Sequence, residues 1–580
     1  MKIRLTSRPP AIAGYTLIVV LIFTSLGLLV LAGALDWSAT NTKLNARNNE
    51  YFNTVAAAEA ATEKVLAHMA NDFQSQGESL VYANLGSYRL LSPTSAENSK
   101  WADYEFSNVS GAAAQSYVER TAAASYTPLQ SQYSGIYGLA SSYQVQSYVR
   151  NSATTPAIEV GVKQDVQLAT IPVFQFAIFY SMDLEINPGP NMTINGRVHG
   201  NQNIYMQPVS TLTFQNHVTA SGKLFTDKHP DDPLSRNTSN SKIVFEPGVI
   251  HEGGKSSITL PIGTNNTADA VAAILDIPPS DESATSLMGK QRFYNKADLI
   301  VVVSNSSVSV KSGQFNNFST IVASNDYKKF LNTSASYYNK REGKTVNGVD
   351  IDVGALKAWS ETNATLRTAL GGRDVRSIYV ADMRPQTVAT EAGVRVKNGQ
   401  TLPSLGLTVS TPNPLYVQGH YNVPNSALGT HDTSGSKPAA LIGDAINVLS
   451  TAWEDSESAL LMNSLLGIRQ ASSTTINAAF LAGNVPTTNG YYSGGVENFP
   501  RFLENWADDD IFTYNGSMVM MFHSRQATAP WGGADVYDPP PRDWAFDVNF
   551  MDPTKLPPGT PEVRALLRAQ YAVLGPRTKP

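Results

Sequence analysis

Hydrophobic and polar positions follow three successive textures along this chain. The first is an uncharged, mostly apolar run from Ala11 to Leu35, preceded by Lys2, Arg4 and Arg8 and ended by Asp36, the first acidic residue. As a helix, roughly 25 residues rising ~1.5 Å each are enough to cross a ~30 Å hydrocarbon core. The second texture is amphipathic. Leu44, Tyr51, Phe52, Val55, Ala58, Thr62, Val65, Leu66, Met69 and Phe73 recur at helical spacings, with Lys43, Arg47, Glu50 and Lys64 between them. No Pro or Gly interrupts from Ala34 to Gln76. The pattern therefore predicts one helix over 15–76, about 60 residues and roughly 90 Å long, with 15–35 in the membrane and 36–76 beyond it.

The third texture begins near residue 77, where short β-prone runs alternate with Asn, Gly, Ser and Pro. The almost wholly apolar Ile171 to Tyr180 reads as a buried strand. After it come Asp183–Ile186, Met192–Ile194, Arg197–Gly200, Asn203–Met206, Thr211–Phe214 and His217–Ala220, each a few alternating residues and then a turn former. Such spacing suits a β-solenoid whose coils stack and share an internal apolar ladder, with β-sandwich domains as the alternative. Later runs repeat the texture without a strict period: Asp298–Val303, Phe318–Val322, Leu407–Val409, Leu415–Gly419, Ala440–Asp444, Ala478–Gly483 and Ser517–Phe522. Insertions separate them at about 225–297, 325–373, 420–437 and 451–473, with helical patterning over Val353 to Leu370. The expected organisation is a leader (1–14), the helix (15–76), a connecting α/β region (77–180), an irregular solenoid-like body (181–550) and a tail (551–580). Overall this is an α+β, mainly β chain. In the tail, Thr560-Pro561-Glu562 followed by Val563, Leu566, Leu567, Tyr571 and Leu574 predicts a short helix ended by Gly575-Pro576.

Basic residues before the apolar run hold that end on the cytoplasmic side, so everything after Asp36 is expected to be exported. A secretory signal peptide has a shorter apolar region and is cut after it. Here the candidate cut, in Ala13-Gly14-Tyr15-Thr16-Leu17, lies before the apolar region. Cleavage after Gly14 resembles the processing of type IV pilins and type II secretion pseudopilins; an uncleaved single-span anchor is the alternative. The string Ala56-Ala57-Ala58-Glu59-Ala60-Ala61, with Gly14-Tyr15-Thr16-Leu17, resembles the N-terminal region of PilX-type minor pilins. Three further stretches resemble bacterial exported proteins that begin with such a helix: Phe174–Tyr180 with Asn187-Pro188-Gly189-Pro190, Asn413–Asn422, and Glu497–Trp506.

The resemblance implies cleavage at Gly14 by a prepilin peptidase and methylation of the new amino group on Tyr15. It also implies partnership with other pilin or pseudopilin subunits and with an inner-membrane assembly platform. Val19 and Glu59 fall on the filament-assembly helix. Major pilins carry a glutamate where this chain has Val19, and its absence resembles a tip subunit with nothing ahead of it. An unpaired carboxylate is costly in a bilayer, whereas valine is not.

Composition excludes some functions. Across 580 residues there are 43 basic and 48 acidic side chains, a net of −5, which gives no basic field for nucleic acid. The absence of cysteine removes disulfides and thiolate metal sites. Gly253-Gly254-Lys255-Ser256 lacks the earlier glycine of a phosphate-binding loop, and His251-Glu252 lacks the second histidine of a zinc-protease helix. Asp227, His229, Asp231 and Asp232, and likewise Asp508-Asp509-Asp510, read as solvated turns rather than calcium loops. No metal or cofactor is expected. His199 and His217 read as members of a polar surface ladder. Aromatic residues from Phe499 to Phe546 would either cap an open solenoid end or, exposed, stack on sugars or a partner.

The sequence thus reads as a minor pilin-like or pseudopilin-like subunit, active in assembly, tip initiation, display or adhesion, with no chemistry of its own. The alternative is a membrane-anchored β-solenoid enzyme or binding protein acting on surface polysaccharide. An acid cluster in a solenoid groove favours the enzyme, and a groove of Asn, Ser and Thr favours binding.

Overall fold

The computed structural model describes residues 15–236, 239–263, 265–312, 319–320, 325–461, 469–506, 510–532 and 535–577. Gly14, the basic leader, Asp508 and Asp509 lie outside the described residues, and the run from Phe318 to Val322 is described only at Ser319 and Thr320.

A single helix, α1 (Tyr15–Gln76), spans 62 residues as the sequence predicts. Its buried positions begin only at Thr54 and follow one stripe: Ala57, Ala58, Ala61, Thr62, Val65, Leu66, Met69 and Phe73. That stripe packs on an antiparallel sheet formed by β1 (Tyr104–Ser107), β2 (Tyr117–Pro128), β3 (Tyr137–Asn151) and β4 (Ile158–Pro172). The alanines let the helix backbone approach Phe106, Val149 and Val162, and the larger side chains further on meet Val118, Val145, Val166 and Leu168.

The tail is not helical. Glu562–Leu574 is a strand that pairs antiparallel with β4, from Val563 opposite Ile171 to Leu574 opposite Gly161. Val563, Ala565 and Leu567 are buried at every second position. Leu, Ala, Arg and Gln favour helix locally, but the open edge of β4 offers a row of unpaired backbone groups, and pairing there outweighs the local preference. Both ends of the chain therefore build the sheet under α1, and the coils lie between them.

The body begins with coils of three short strands each. β5 (Ile178–Tyr180), β6 (Leu184–Ile186) and β7 (Met192–Ile194) are followed by β8 (Val198–Gly200), β9 (Ile204–Met206) and β10 (Leu212–Phe214). β11 (Val218–Ala220), β12 (Leu224–Phe225), β13 (Ile243–Phe245) and β14 (His251–Glu252) continue the stack. All pair in parallel, each strand with its counterpart on the next coil. Parallel stacking of this kind makes the body solenoid-like rather than a sandwich. Asn and Asp at the corners fix the register: Asp183, Asn187, Asn191 and Asn203 each accept a backbone N–H from the residue 20 positions later.

The chain then passes through an insertion with short helices (Ala268–Ala272, Leu287–Gln291, Phe293–Lys296) and starts a second run of coils from the far end. Leu299–Val303, Ser377–Asp382, Leu407–Ser410, Ala439–Gly443, Ala479–Asn484 and Met518–His523 form one parallel series. Its last strand pairs with β5, so the two runs merge into a 12-stranded sheet. The helical patterning over the second insertion is present as Val353–Thr362 and Ala364–Ala369.

The aromatic residues expected at an open end are instead at this join. Phe502, Trp506, Phe512 and Tyr514 are buried in mutual contact. Pro500–Phe502 ends its own sheet, and Arg542–Phe546 packs beside β7. Antiparallel pairing of Leu331–Asn339 on Lys344–Asp352 finishes the far end.

Candidate functional site

The first half of α1 stands free of the body. Its most apolar window has a mean hydropathy of 2.7 and none of it is buried. Tyr15 is 74% exposed and Val19 45%, and Leu17 to Leu35 present apolar side chains on all sides. A soluble monomer rarely leaves so large an apolar surface uncovered. Two hydroxyls in its middle are satisfied by the helix itself: Thr24 donates to the carbonyls of Val20 and Leu21, and Ser25 donates to that of Leu21. Those two hydroxyls would enter a bilayer already paired. Trp37, beside Asp36 at the end of the apolar run, is 71% exposed, a position suited to a membrane–water interface.

Contact with the body starts where the amphipathic pattern ends its exposed stretch. Glu50 accepts from Asn151 Nδ2 at 2.9 Å, and from Thr54 onward the helix is docked. Glu59 is exposed on this docked half, on the side of Arg568 and Tyr571. The structure therefore separates the two sequence-predicted helix positions: Val19 is on the free half and Glu59 lies over the body.

The C-terminal strand clamps the helix, and nothing in the sequence pattern signals this. The Arg568 guanidinium forms a two-point ion pair with Glu63 and holds that carboxyl below its usual range. Gln164 Nε2 donates to Thr62 Oγ1 and Glu63 Oε1, both at 2.8 Å. At the helix end, Arg564 Nη1 donates to the carbonyls of Phe73 at 2.8 Å and Gln74 at 2.9 Å. The Gln74 carbonyl is one a helix C-terminus leaves open, and a cation there is also favoured by the negative end of the helix dipole. Gly77 completes the stop: it donates the last helical N–H, to Phe73 at 2.9 Å, and then turns the chain away at φ +86° and ψ −169°, a backbone region open to glycine.

No family model matches the sequence, and no curated protein does. Among solved structures, the competence-associated pilin ComZ of Thermus thermophilus aligns with 90% of this chain and 97% of its own, at 10% identity and a TM-score of 0.30. A likeness that weak carries no argument about this chain, whose functional reading rests on the helix.

The other sequence candidates resolve individually. His199 is not on a surface ladder: it is fully buried among Tyr133, Phe176 and Phe179, with Nδ1 2.8 Å from Thr219 Oγ1 and Nε2 3.2 Å from Asn201 Oδ1. Burial pushes its pKa down to about 4, so it is a neutral core residue. His217 is apart from it and accepts the N–H of Ile250. Lys255 pairs with Glu252 rather than forming a phosphate cradle. Within 227–236, Asp232 pairs with Arg236, and Lys228 donates to two loop carbonyls. Among the described residues no three His, Asp or Glu side chains group as metal ligands.

Proposed function

We propose that this chain is a minor pilin-like or pseudopilin-like subunit of a type IV pilus- or type II secretion-related filament, acting in assembly, tip initiation or display. One observation carries the reading: a single helix presents a bare apolar half that would cross a membrane, while its other half is fixed to a large folded body. A purely anchoring helix needs no rigid docking, whereas a subunit that moves from membrane to filament must carry its body as one piece. The clamp by Arg564 and Arg568 supplies that rigidity.

In this reading a prepilin peptidase cuts after Gly14, Tyr15 becomes the methylated N-terminus, and the inner-membrane platform and other pilin subunits receive the helix. The body is exported to the periplasm and then carried to the filament. The PilX resemblance and the apolar Val19 favour an initiating or tip position, and the subunit performs no chemistry of its own. Mass spectrometry of the mature N-terminus, in cells with and without the peptidase, tests it. The expected result is a peptidase-dependent methylated Tyr15; an intact Met1 in both strains would leave a permanent anchor instead.

A further inference from the structure

The first run of coils stops on an unfinished rung. β12, β13 and β14 each lie at the end of a sheet, and among the described residues no strand pairs with their outer edges. In the register of the stack, Ile243 and Phe245 follow Leu212 and Phe214, Leu224 and Phe225 follow Ile204 and Tyr205, and His251 follows Val218. The preceding residue is buried in every case, whereas Ile243, Phe245, Leu224 and Phe225 are half-buried and His251 is exposed. Val244 and Ile250 beside them are each 39% exposed. Rings stacked along the coils also end here: the Phe245 centroid is 5.2 Å from that of Phe214 and 4.0 Å from that of His251, and Phe225 is 4.9 Å from Tyr205.

An open sheet edge over a bare core end is a place for a partner that supplies strands, and repeat proteins ordinarily close such ends with a capping unit. The opposite end of the body is closed: Val308–Ser312 pairs antiparallel on Leu299–Val303, and Leu331–Asn339 on Lys344–Asp352. Those pairs interrupt the parallel coils, so a second copy cannot continue the stack head to tail. The surface it has left to offer the open rung is its own open rung, an isologous contact that closes on itself.

The residues of β13 fit that occupant. Lys242-Ile243-Val244-Phe245-Glu246 is complementary to itself when two copies run antiparallel about Val244. Lys242 of each copy then faces Glu246 of the other on the outer side, flanking the two valines, and Ile243 faces Phe245 on the inner side, where the core continues across the join. Lys242 already donates to the Val209 carbonyl, and Glu246 accepts from Gln215 Nε2. An ammonium carries three donors and a carboxylate two oxygens, so each can add the bond across the axis. The same two-fold sets β12 of each copy against β14 of the other. The coils here repeat every 20 residues, and about 20–30 residues a side is what a standard interface uses.

We propose that the body pairs with a second copy of this chain, open rung to open rung, about a two-fold axis at Val244. The proposal does not depend on how the helix is processed or assembled.

Because the chain has no cysteine, Val244→Cys puts a single thiol on that axis. Directly opposed residues of an antiparallel pair have Cα atoms about 4.5–5.5 Å apart, within disulfide reach. The full chain is oxidised in the membranes of cells that produce it, and the products are sized on a non-reducing gel and identified by mass spectrometry. A disulfide-linked homodimer is expected from Val244→Cys and not from Val388→Cys, whose side chain is 95% exposed in the loop before Thr390–Lys397. Adding Lys242→Glu to Val244→Cys should lower the dimer at least tenfold. Adding Glu246→Lys as well should restore it, since the reversed charges again complement each other, and that recovery separates a lost charge pair from a lost fold. No homodimer from Val244→Cys, or an equal one from Val388→Cys, would overturn the proposal. So would a disulfide from Val244→Cys to a different protein, or a double charge reversal that dimerises no better than Lys242→Glu alone.

Discussion

Truncating Phe73 tests whether the docked half of α1 is part of the folded body. Its ring is 2% exposed, packed with Leu66, Met69, Val81, Tyr88 and Leu168, and the Arg564 guanidinium carbon is 5.6 Å from the ring centroid. Cutting a buried Phe to Ala costs about 3–5 kcal/mol through lost burial and the cavity left behind. A body of this size need not unfold in one step, so the loss should be read locally. At 3 kcal/mol, the equilibrium for opening the helix–sheet unit rises by roughly 150-fold. Hydrogen exchange with mass spectrometry on the full chain in nanodiscs would show it as faster exchange in Tyr137–Asn151, Ile158–Pro172 and Glu562–Leu574. Phe512–Gly516 in the coils is the internal control and should not change. Phe52→Ala is the matched control, because Phe52 is 67% exposed and lies outside the buried stripe of α1. Unchanged exchange in Phe73→Ala, or an equal effect in Phe52→Ala, would refute the reasoning.

Two further outcomes follow from the geometry. Arg564→Met keeps the apolar stem but removes the donors to Phe73 and Gln74, so about 1.5–3 kcal/mol should be lost at the helix end. Peptides covering 70–80 should then exchange at least tenfold faster, and unchanged rates would show that Gly77 alone is a sufficient stop. Glu504 accepts from both the N–H and the hydroxyl of Ser450, and burial pushes its pKa up to about 7 from 4.5. The folded state thus keeps this proton where the unfolded chain has lost it. Its contribution is complete below about pH 4.5 and declines by up to about 3 kcal/mol as pH rises through 7. Between pH 5 and 8 the denaturation midpoint of the parent should fall more than that of Glu504→Gln, and parallel curves would contradict the assignment.

Much of the architecture was legible because it is written in local periodicity. The helix over 15–76 needed only an apolar run, a helical stripe and the absence of breakers, all set by neighbours within two turns. The short strands after Tyr180 were legible as alternation between turn formers, and their Asn and Asp corners took the places the turns suggested. The candidate site was legible in part. Tyr15 and Val19 fall where the free half begins, but Arg564 and Arg568 carried no signal, because their partners on α1 are about 490 to 505 residues away. His199 was misplaced for a related reason: a histidine between turn formers looks exposed until the 131–136 loop is found covering it.

The sequence by itself determined that a membrane-length helix continues into an amphipathic one, and that a β-rich body follows. Tertiary structure alone decided that the tail is a strand, and that the two runs of coils meet at β5. Helix periodicity arises from contacts three or four residues apart, so it survives in any reading of the chain. Parallel pairing and edge closure join segments remote in sequence, as when Ser517 donates to the carbonyl of Phe176, 341 residues away. Their outcome is set by which edges the folded body leaves open, a quantity no local pattern contains.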